Sequence, residues 1–391
     1  LNFGASEPER PGPRDDDELA AWVGLTMLPG VGPRTIARWV DRTGSVLAAW
    51  WNLPDLVGTQ RDREEVLAAW RSLDPGGVLA NARDRGMTVM TIRDPAYPQL
   101  LQAIPGAPAV LFVRGAFDDR PAIAIVGSRR ATAYGRDAAG RIAFDLAAAG
   151  VTVVSGLARG IDGAAHRAAL DGGGRTIAVL GSGADVIYPP EHRRLAEAIA
   201  ARGALVSEFP PGTQPLASHF PRRNRVISGL CRAVVVVEGA RDSGSLVTAD
   251  YALEQGRDVF AVPGSIFSDH SRAPHGLLRD GAHMAETAED VLRDLGLPLT
   301  AGGHNDEGST AAAAPTPESR VMSLLDAGPR TLDDLTDASG LSAAAVAAAV
   351  TVLEIRGLIQ MLPGQMVLQA VGRSRGGPRR GGQRDHEGDQ A

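Results

Sequence analysis

Between Ala122 and about Leu297, short apolar runs alternate with stretches of helical spacing. The runs Ala122 to Val126, Val151 to Val154, Thr176 to Leu180, Ala204 to Ser207, Ala233 to Val237 and Val259 to Val262 are apolar almost throughout. That is the pattern of strands covered on both faces rather than one. Between them, DAAGRIAFDLAAAG and HRRLAEAIAARG carry helical periodicity, and each closes near a glycine suited to a C-cap. Strand, crossover helix and next strand in this rhythm predict a parallel sheet with helices on both faces.

The fold class is therefore α/β, with a central Rossmann-like doubly wound parallel sheet over residues 101–299. Ahead of it, residues 1–18 are rich in Pro, Gly and Asp and are expected to be disordered. Residues 19–100 predict a helical, SAM-like domain. In LAAWVGLTMLPGVGPRTIARWVDRTG, Leu25, Leu28, Ile36 and Val40 share an apolar face interrupted at Pro29-Gly30-Val31-Gly32, which reads as a helix-hairpin-helix. Such a hairpin either offers backbone N–H groups to a phosphate, with Arg34 alongside, or serves only as a packing module. Residues 300–317 have linker composition, and residues 318–370 give three helical patterns and two short apolar runs joined at Pro363-Gly364, the order of a winged helix. Its last helix, SAAAVAAAVTVLEIRG, has only Arg356 as a basic residue, so packing or protein contact suits it better than reading a groove. Residues 371–391 are a low-complexity tail, expected to be unfolded. It contains Arg375-Gly376-Gly377 and Arg380-Gly381-Gly382, either weak attachments for single strands or merely a solvated charged end.

A hydrophobic share of 44% with 22% charged residues fits a chain with a substantial core and no membrane span. The single cysteine, Cys231, excludes a disulfide framework and a Cys-rich zinc site, and the polar, acidic start does not resemble an export signal, so a cytoplasmic location is expected. All 40 basic residues are arginines. The absence of lysine excludes Walker-A chemistry, Schiff bases and pyridoxal-phosphate attachment. With a net charge of −6, any anion site must be a local concentration of arginine.

Ligands of doubly wound sheets bind beyond the carboxyl ends of the strands, and there the unusual residues collect. The first strand is followed by Gly127-Ser128-Arg129-Arg130, and the second by Ser155-Gly156 and then Arg159-Gly160-Ile161-Asp162. A Pro-rich loop after the fourth leads to Phe220-Pro221-Arg222-Arg223-Asn224-Arg225, and the fifth precedes Glu238 and Ser243-Gly244-Ser245-Leu246-Val247-Thr248. The glycines let backbone approach an anion, the hydroxyls of Ser128, Ser155, Ser245 and Thr248 are donors, and Arg129, Arg159, Arg223 and Arg225 supply forked charge. Phe220 offers a ring for a base. Four such phosphate contacts would give a salt slope of about −3. The nicotinamide fingerprint is absent: Gly181-Ser182-Gly183 opens it, but Val186 holds the third glycine position, and no cofactor or metal is expected. Asp162 and His166, four apart, are read as a capping carboxylate and a surface or phosphate-facing imidazole, and Glu238 as an ion-pair partner that orients Arg223 or Arg225.

The strings AIVGSRRAT, VVSGLARGIDGAAHRAAL, AVLGSGADVIYPPEH, SEFPPG, FPRRNRVISGL, VVVVEGARDSGSLVTADYALEQGRDVFAVPG and HGLLRDGA follow one another from Ile123 to Ala282. Together they resemble the DNA-processing protein A (DprA, or Smf) family in its long, three-part form. The resemblance implies sequence-independent binding of single-stranded DNA, homodimerisation through the Rossmann-like domain, loading of the RecA recombinase, a role in natural transformation, and no catalysis. It also implies that Gly127, Ser128, Arg129, Ser155, Gly156, Arg159, Phe220, Arg223, Asn224 and Arg225 line the DNA site. The competing expectation is a nucleotide phosphoribohydrolase, whose PGGxGTxxE string places a working Glu where Ser243 to Asp250 has none. A transcription regulator acting through the winged helix is disfavoured by the apolar helix that holds Arg356.

Overall fold

A computed structural model describes residues 16–58, 62–241, 243–298, 317–325, 328–355, 359–362 and 366–369. Those up to 298 belong to one compact unit and those from 317 to a second. Arg356, Pro363-Gly364, both Arg-Gly-Gly segments and most of the expected linker and N-terminal segment lie outside the described residues.

In the first unit the apolar runs form β1 (Thr88–Thr91), β2 (Val110–Gly115), β3 (Ala122–Val126), β4 (Thr152–Ser155), β5 (Thr176–Leu180), β6 (Ala204–Ser207), β7 (Ala233–Val236), β8 (Asp258–Ala261) and β9 (His283–Met284). The described strands make one sheet in the order β1-β2-β6-β5-β4-β3-β7-β8-β9. From β6 to β9 every pairing is parallel, while β2 pairs antiparallel with β6 and β1 with β2. Alternate residues pack on opposite faces, as the two-residue period requires. Ala124, Val126, Val234 and Val236 meet Val226, Ile227, Ala249 and Ala252 on one side. Ile123, Ile125, Val235 and Phe260 meet Ile142, Leu146, Ala165 and Val291 on the other. The chain builds outward from β3 through β4, β5 and β6, then returns to place β7 on the other side of β3. The crevice outside the carboxyl ends of β3 and β7 is therefore the topological switch point.

The sheet starts earlier than residue 101. β1 and β2 lie at its edge, and Val89, Val110 and Phe112 pack in one cluster with Trp22, Leu25 and Leu79 of the helical segment. In that segment the helices Asp16–Met27 and Pro33–Thr43 flank a turn with Gly30 at φ 67°, and Leu25, Leu28, Ile36 and Val40 are all buried. Among the described residues no single helix is long and apolar enough to cross a membrane.

The second unit has helices Pro317–Leu325, Leu332–Ser339 and Ala343–Ile355 with strands β10 (Arg330–Thr331), β11 (Ile359–Leu362) and β12 (Met366–Gln369), ordered β10-β12-β11. This is the winged-helix arrangement. Val346, Ala349, Val350 and Leu353 of its third helix close on Val321, Leu325 and Leu335. The alanine and valine run is thus the core stripe of this small unit.

Candidate functional site

The loops after β3, β4 and β7 are stitched together at the switch point. Ser128 N–H donates to Glu238 O at 2.8 Å, and Ile161 N–H donates to Ser128 O at 3.2 Å. Gly160 sits at φ 76°, and a Cβ there would fall 2.2 Å from Ser128 O. A Cβ on Gly127 would fall 2.6 Å from Ile161. Glycine at these two places lets the loops close on one another.

Arg223 forms the floor. It is only 4% exposed and donates from Nη1 to Val179 O at 2.8 Å. It passes so close to the chain that a Cβ on Gly156 would lie 1.7 Å from its Nη1. Asp162, also buried, supplies the opposing charge, and its Oδ2 accepts from Gly156 N–H at 3.1 Å and Ala158 N–H at 3.2 Å. Burial pushes the Asp162 carboxyl up, against the pull of Arg223, and burial brings Arg223 down to about 10, so the guanidinium stays charged at neutral pH.

Above this floor is a cleft of about 500 Å³ that brings together Gly127, Arg129, Phe220, Arg223, Asn224, Ser243, Gly244, Ser245 and Thr248, with Asp162 at its base. Asn224 Nδ2 donates to Gly244 O at 3.2 Å. The helix Gly244–Glu254 begins at the cleft, its first turn capped by Ser243, which accepts from Ser245 N–H. Arg129 is exposed and lies 4.8 Å over the Phe220 ring, and Tyr188, 42% exposed, stands 6.2 Å from Phe220. The cleft thus offers one exposed guanidinium, the Phe220 ring with Tyr188 beside it, small hydroxyls and a helix start over a buried positive charge. Such a set suits a phosphate with an attached aromatic base. A cavity of about 750 Å³ near the amino ends of β3 to β5 is lined instead by Asp118, Asp119 and Arg120, a poorer match for an anion.

Several expected residues take other places. Ser128 Oγ accepts from Arg130 N–H, and the buried Ser155 Oγ donates to Ile125 O at 2.6 Å, so it has no proton for an anion. Gly156 and Gly160 serve close contacts within the protein rather than the cleft wall. Arg159 pairs with Glu191 at 2.5 Å on the surface, each partner holding the other in its charged form. Arg225 points away from the cleft to Glu208, at 2.5 Å.

Three readings are corrected. Glu238 orients neither Arg223 nor Arg225: its carboxylate accepts from Thr132 N–H at 2.9 Å and Thr132 Oγ at 2.6 Å, fixing the start of the helix Ala133–Ala148. His166 is neither on the surface nor turned to phosphate. It is fully buried, with Nδ1 2.7 Å from Thr176 Oγ1, and burial pushes it down to about 3, so it is neutral. Asp162 holds the loop that precedes its helix rather than serving as an N-cap, a position that Gly160 occupies. The sequence reading also missed Glu208 and Tyr188. Glu208 directly follows β6, in SEFPPG, where the switch-point rule could have found it, and Tyr188 lies farther along the loop after β5, in VIYPP.

The sequence profile described as DNA recombination-mediator protein A matches residues 88–296, and the DprA winged helix domain profile matches residues 306–365. The chain belongs to the DNA recombination-mediator protein A family. Among its relatives, Protein Smf of Synechocystis is 33% identical over 390 residues, covering 89% of this chain and 98% of that protein. DNA processing protein DprA of Bacillus subtilis is 40% identical over 267 residues, covering 64% of this chain and 90% of that protein. The solved structure of DNA processing protein A from Streptococcus pneumoniae superposes with a TM-score of 0.64 at 37% identity, covering 72% of this chain and 98% of that one. The DprA/Smf family resemblance read from the motifs is therefore borne out. The family match begins at Thr88, where β1 begins.

Proposed function

We propose that this chain binds single-stranded DNA, whatever its sequence, in the crevice outside β3 and β7, and that it carries the strand rather than acting on it chemically. The observation that carries the reading is the exposed Arg129 beside the Phe220 ring, above the buried Arg223 and at the start of the helix Gly244–Glu254. Arg129 swings from Phe220 to a phosphate, and the ring it leaves takes a base. Arg159 joins it by exchanging Glu191 for a second phosphate, a small loss because both partners of that pair are exposed. The strand's other backbone contacts fall on the backbone N–H groups at the helix start. None of these groups reads a base edge, which fits indifference to sequence.

A carrier fits better than the phosphoribohydrolase because the two carboxylates near the crevice are already engaged. Asp162 is held by two backbone N–H groups and Glu238 by Thr132. Family membership supports the further steps: hand-over of the strand to the RecA recombinase during DNA uptake, and a homodimer, for which Ile266 and Phe267, 81% and 93% exposed, offer an apolar contact. The buried free thiol of Cys231 suits the reducing cytoplasm. The test is fluorescence anisotropy of a labelled oligothymidylate and of the matching duplex. The single strand should bind far better, and Arg129→Ala should weaken it. Equal affinity for the duplex, or indifference to Arg129→Ala, would overturn the reading.

A further inference from the structure

The helix His219–Gly229 faces two clefts. Phe220, Arg223, Asn224 and Ile227, spaced as one stripe, line the crevice already described, while Arg222 and Arg225 line a separate cleft of about 620 Å³. The opposite wall of this second cleft is the hairpin turn from Thr26 to Arg34, with Pro105 and Gly106 beside it. Three guanidiniums line it, and no carboxylate does.

The charge there is not fully compensated. Glu208, its side chain 6% exposed, reaches Arg225 at 2.5 Å and Arg222 at 3.5 Å, so one carboxylate serves two arginines, and Arg34 adds a third. Arg225 Nη1 and Glu208 Oε1 are both buried without a hydrogen-bond partner, so the pair is joined through Nη2 and Oε2 alone. Arg222 lies 5.3 Å over the Phe209 ring, which holds its guanidinium in place while leaving the side chain exposed. On the facing wall, the helix Pro33–Thr43 begins at Gly32, which supplies no side-chain cap; Pro33 carries no N–H, and Thr35 and Ile36 N–H donate to Gly32 O, so Arg34 N–H is the one left for another acceptor in this first turn.

We propose that this second cleft is an anion subsite that takes the sugar-phosphate backbone of the same single strand after it leaves the crevice. The proposal rests on the single-strand reading of the crevice and extends it to the hairpin. The two clefts are separated by the width of one helix, about 10 Å, which a few nucleotides span. Arg34 and Arg222 grip the strand from opposite walls, and Arg225, anchored by Glu208, supplies the fixed positive floor, as Arg223 does in the crevice. The helical segment thereby gains a binding role, and the path of the strand is set by two faces of one helix.

The test uses the full chain with two labelled oligothymidylates, one of about 2 nucleotides, too short to occupy both clefts, and one of about 16, a span matching known single-strand grooves. Affinity is measured across salt concentrations for the native chain, for Arg34→Ala with Arg222→Ala, and for Arg34→Lys with Arg222→Lys. The alanine pair should reduce the salt slope for the long strand by about 1.4, two contacts at about 0.7 each, and leave the short strand unchanged. The lysine pair should retain the slope, which separates lost charge from a disturbed fold. An unchanged slope for the long strand, or equal losses on both strands, would overturn the second subsite while the crevice stands. If the native chain binds neither strand, the crevice reading fails and this one fails with it. Duplex binding that depends on Arg34 and Arg222 while long single-strand binding does not would reassign the cleft and also overturn the proposal.

Discussion

Adding one methyl group at Gly156 should undo the floor of the crevice. In Gly156→Ala the new Cβ would lie 1.7 Å from Arg223 Nη1 and 2.4 Å from Cζ, far inside contact distance. Arg223 is 4% exposed and tied to its surroundings, so a shift away from the new methyl takes it off Val179 O and withdraws its charge from Asp162. The lost charge-assisted hydrogen bond costs about 1.5–3 kcal/mol. Overpacking of a filled site adds about 1–3 kcal/mol. Together these come to about 2.5–6 kcal/mol, a large part of an ordinary folding free energy of about 5–15 kcal/mol. Gly244→Ala is the matched control, because a Cβ there meets nothing within 4 Å and it opens a helix. Its stability should stay within about 0.5 kcal/mol of the native chain. Urea unfolding reads both: the midpoint should fall for Gly156→Ala at unchanged slope and stay in place for Gly244→Ala. A native midpoint for Gly156→Ala would refute the locked position of Arg223.

Other perturbations follow from the same contacts. Arg225→Ala leaves the buried Glu208 with only Arg222 at 3.5 Å and should cost about 3–5 kcal/mol in urea unfolding, part of it recovered by adding Glu208→Gln. Glu238→Gln places an amide N–H against a donor of Thr132 and should cost about 1–3 kcal/mol; no shift in the melting temperature would count against the two-point hold on Thr132. His166 is held down to about 3 by burial, below its ordinary value of 6.5, so the unfolded chain takes up a proton there first. Stability should therefore be full above pH 6.5 and fall as pH drops toward 3, by at most about 1.4 kcal/mol per pH unit. His166→Asn should remove that component, and parallel pH profiles for the two proteins would exclude it.

The six central strands were legible because burial on both faces leaves nearly unbroken apolar runs, and β3, β5 and β6 fall where those runs do. β1, β2 and β9 escaped for different reasons. The first two are antiparallel additions at the edge, outside the strand-and-crossover rhythm, and β9 is two exposed residues long. In the crevice, residue type was legible and side-chain direction was not. Gly127, Arg129, Phe220 and Gly244 follow strand ends, and topology alone gathers them there. Which carboxylate an arginine meets depends on tertiary neighbours: Arg225 finds Glu208 beyond β6, while Glu238 is taken by Thr132. The Ser155 hydroxyl turns to Ile125 O and the His166 ring to Thr176, both partners on adjacent strands that no local pattern reveals.

The most direct test is a crystal structure of the full chain with a bound oligothymidylate. A base should lie against Phe220, with Arg129 turned from that ring to a phosphate and a second phosphate near the start of the helix Gly244–Glu254. A strand seated at the amino ends of β3 to β5, or one that leaves Arg129 stacked on Phe220, would contradict the crevice as the binding site.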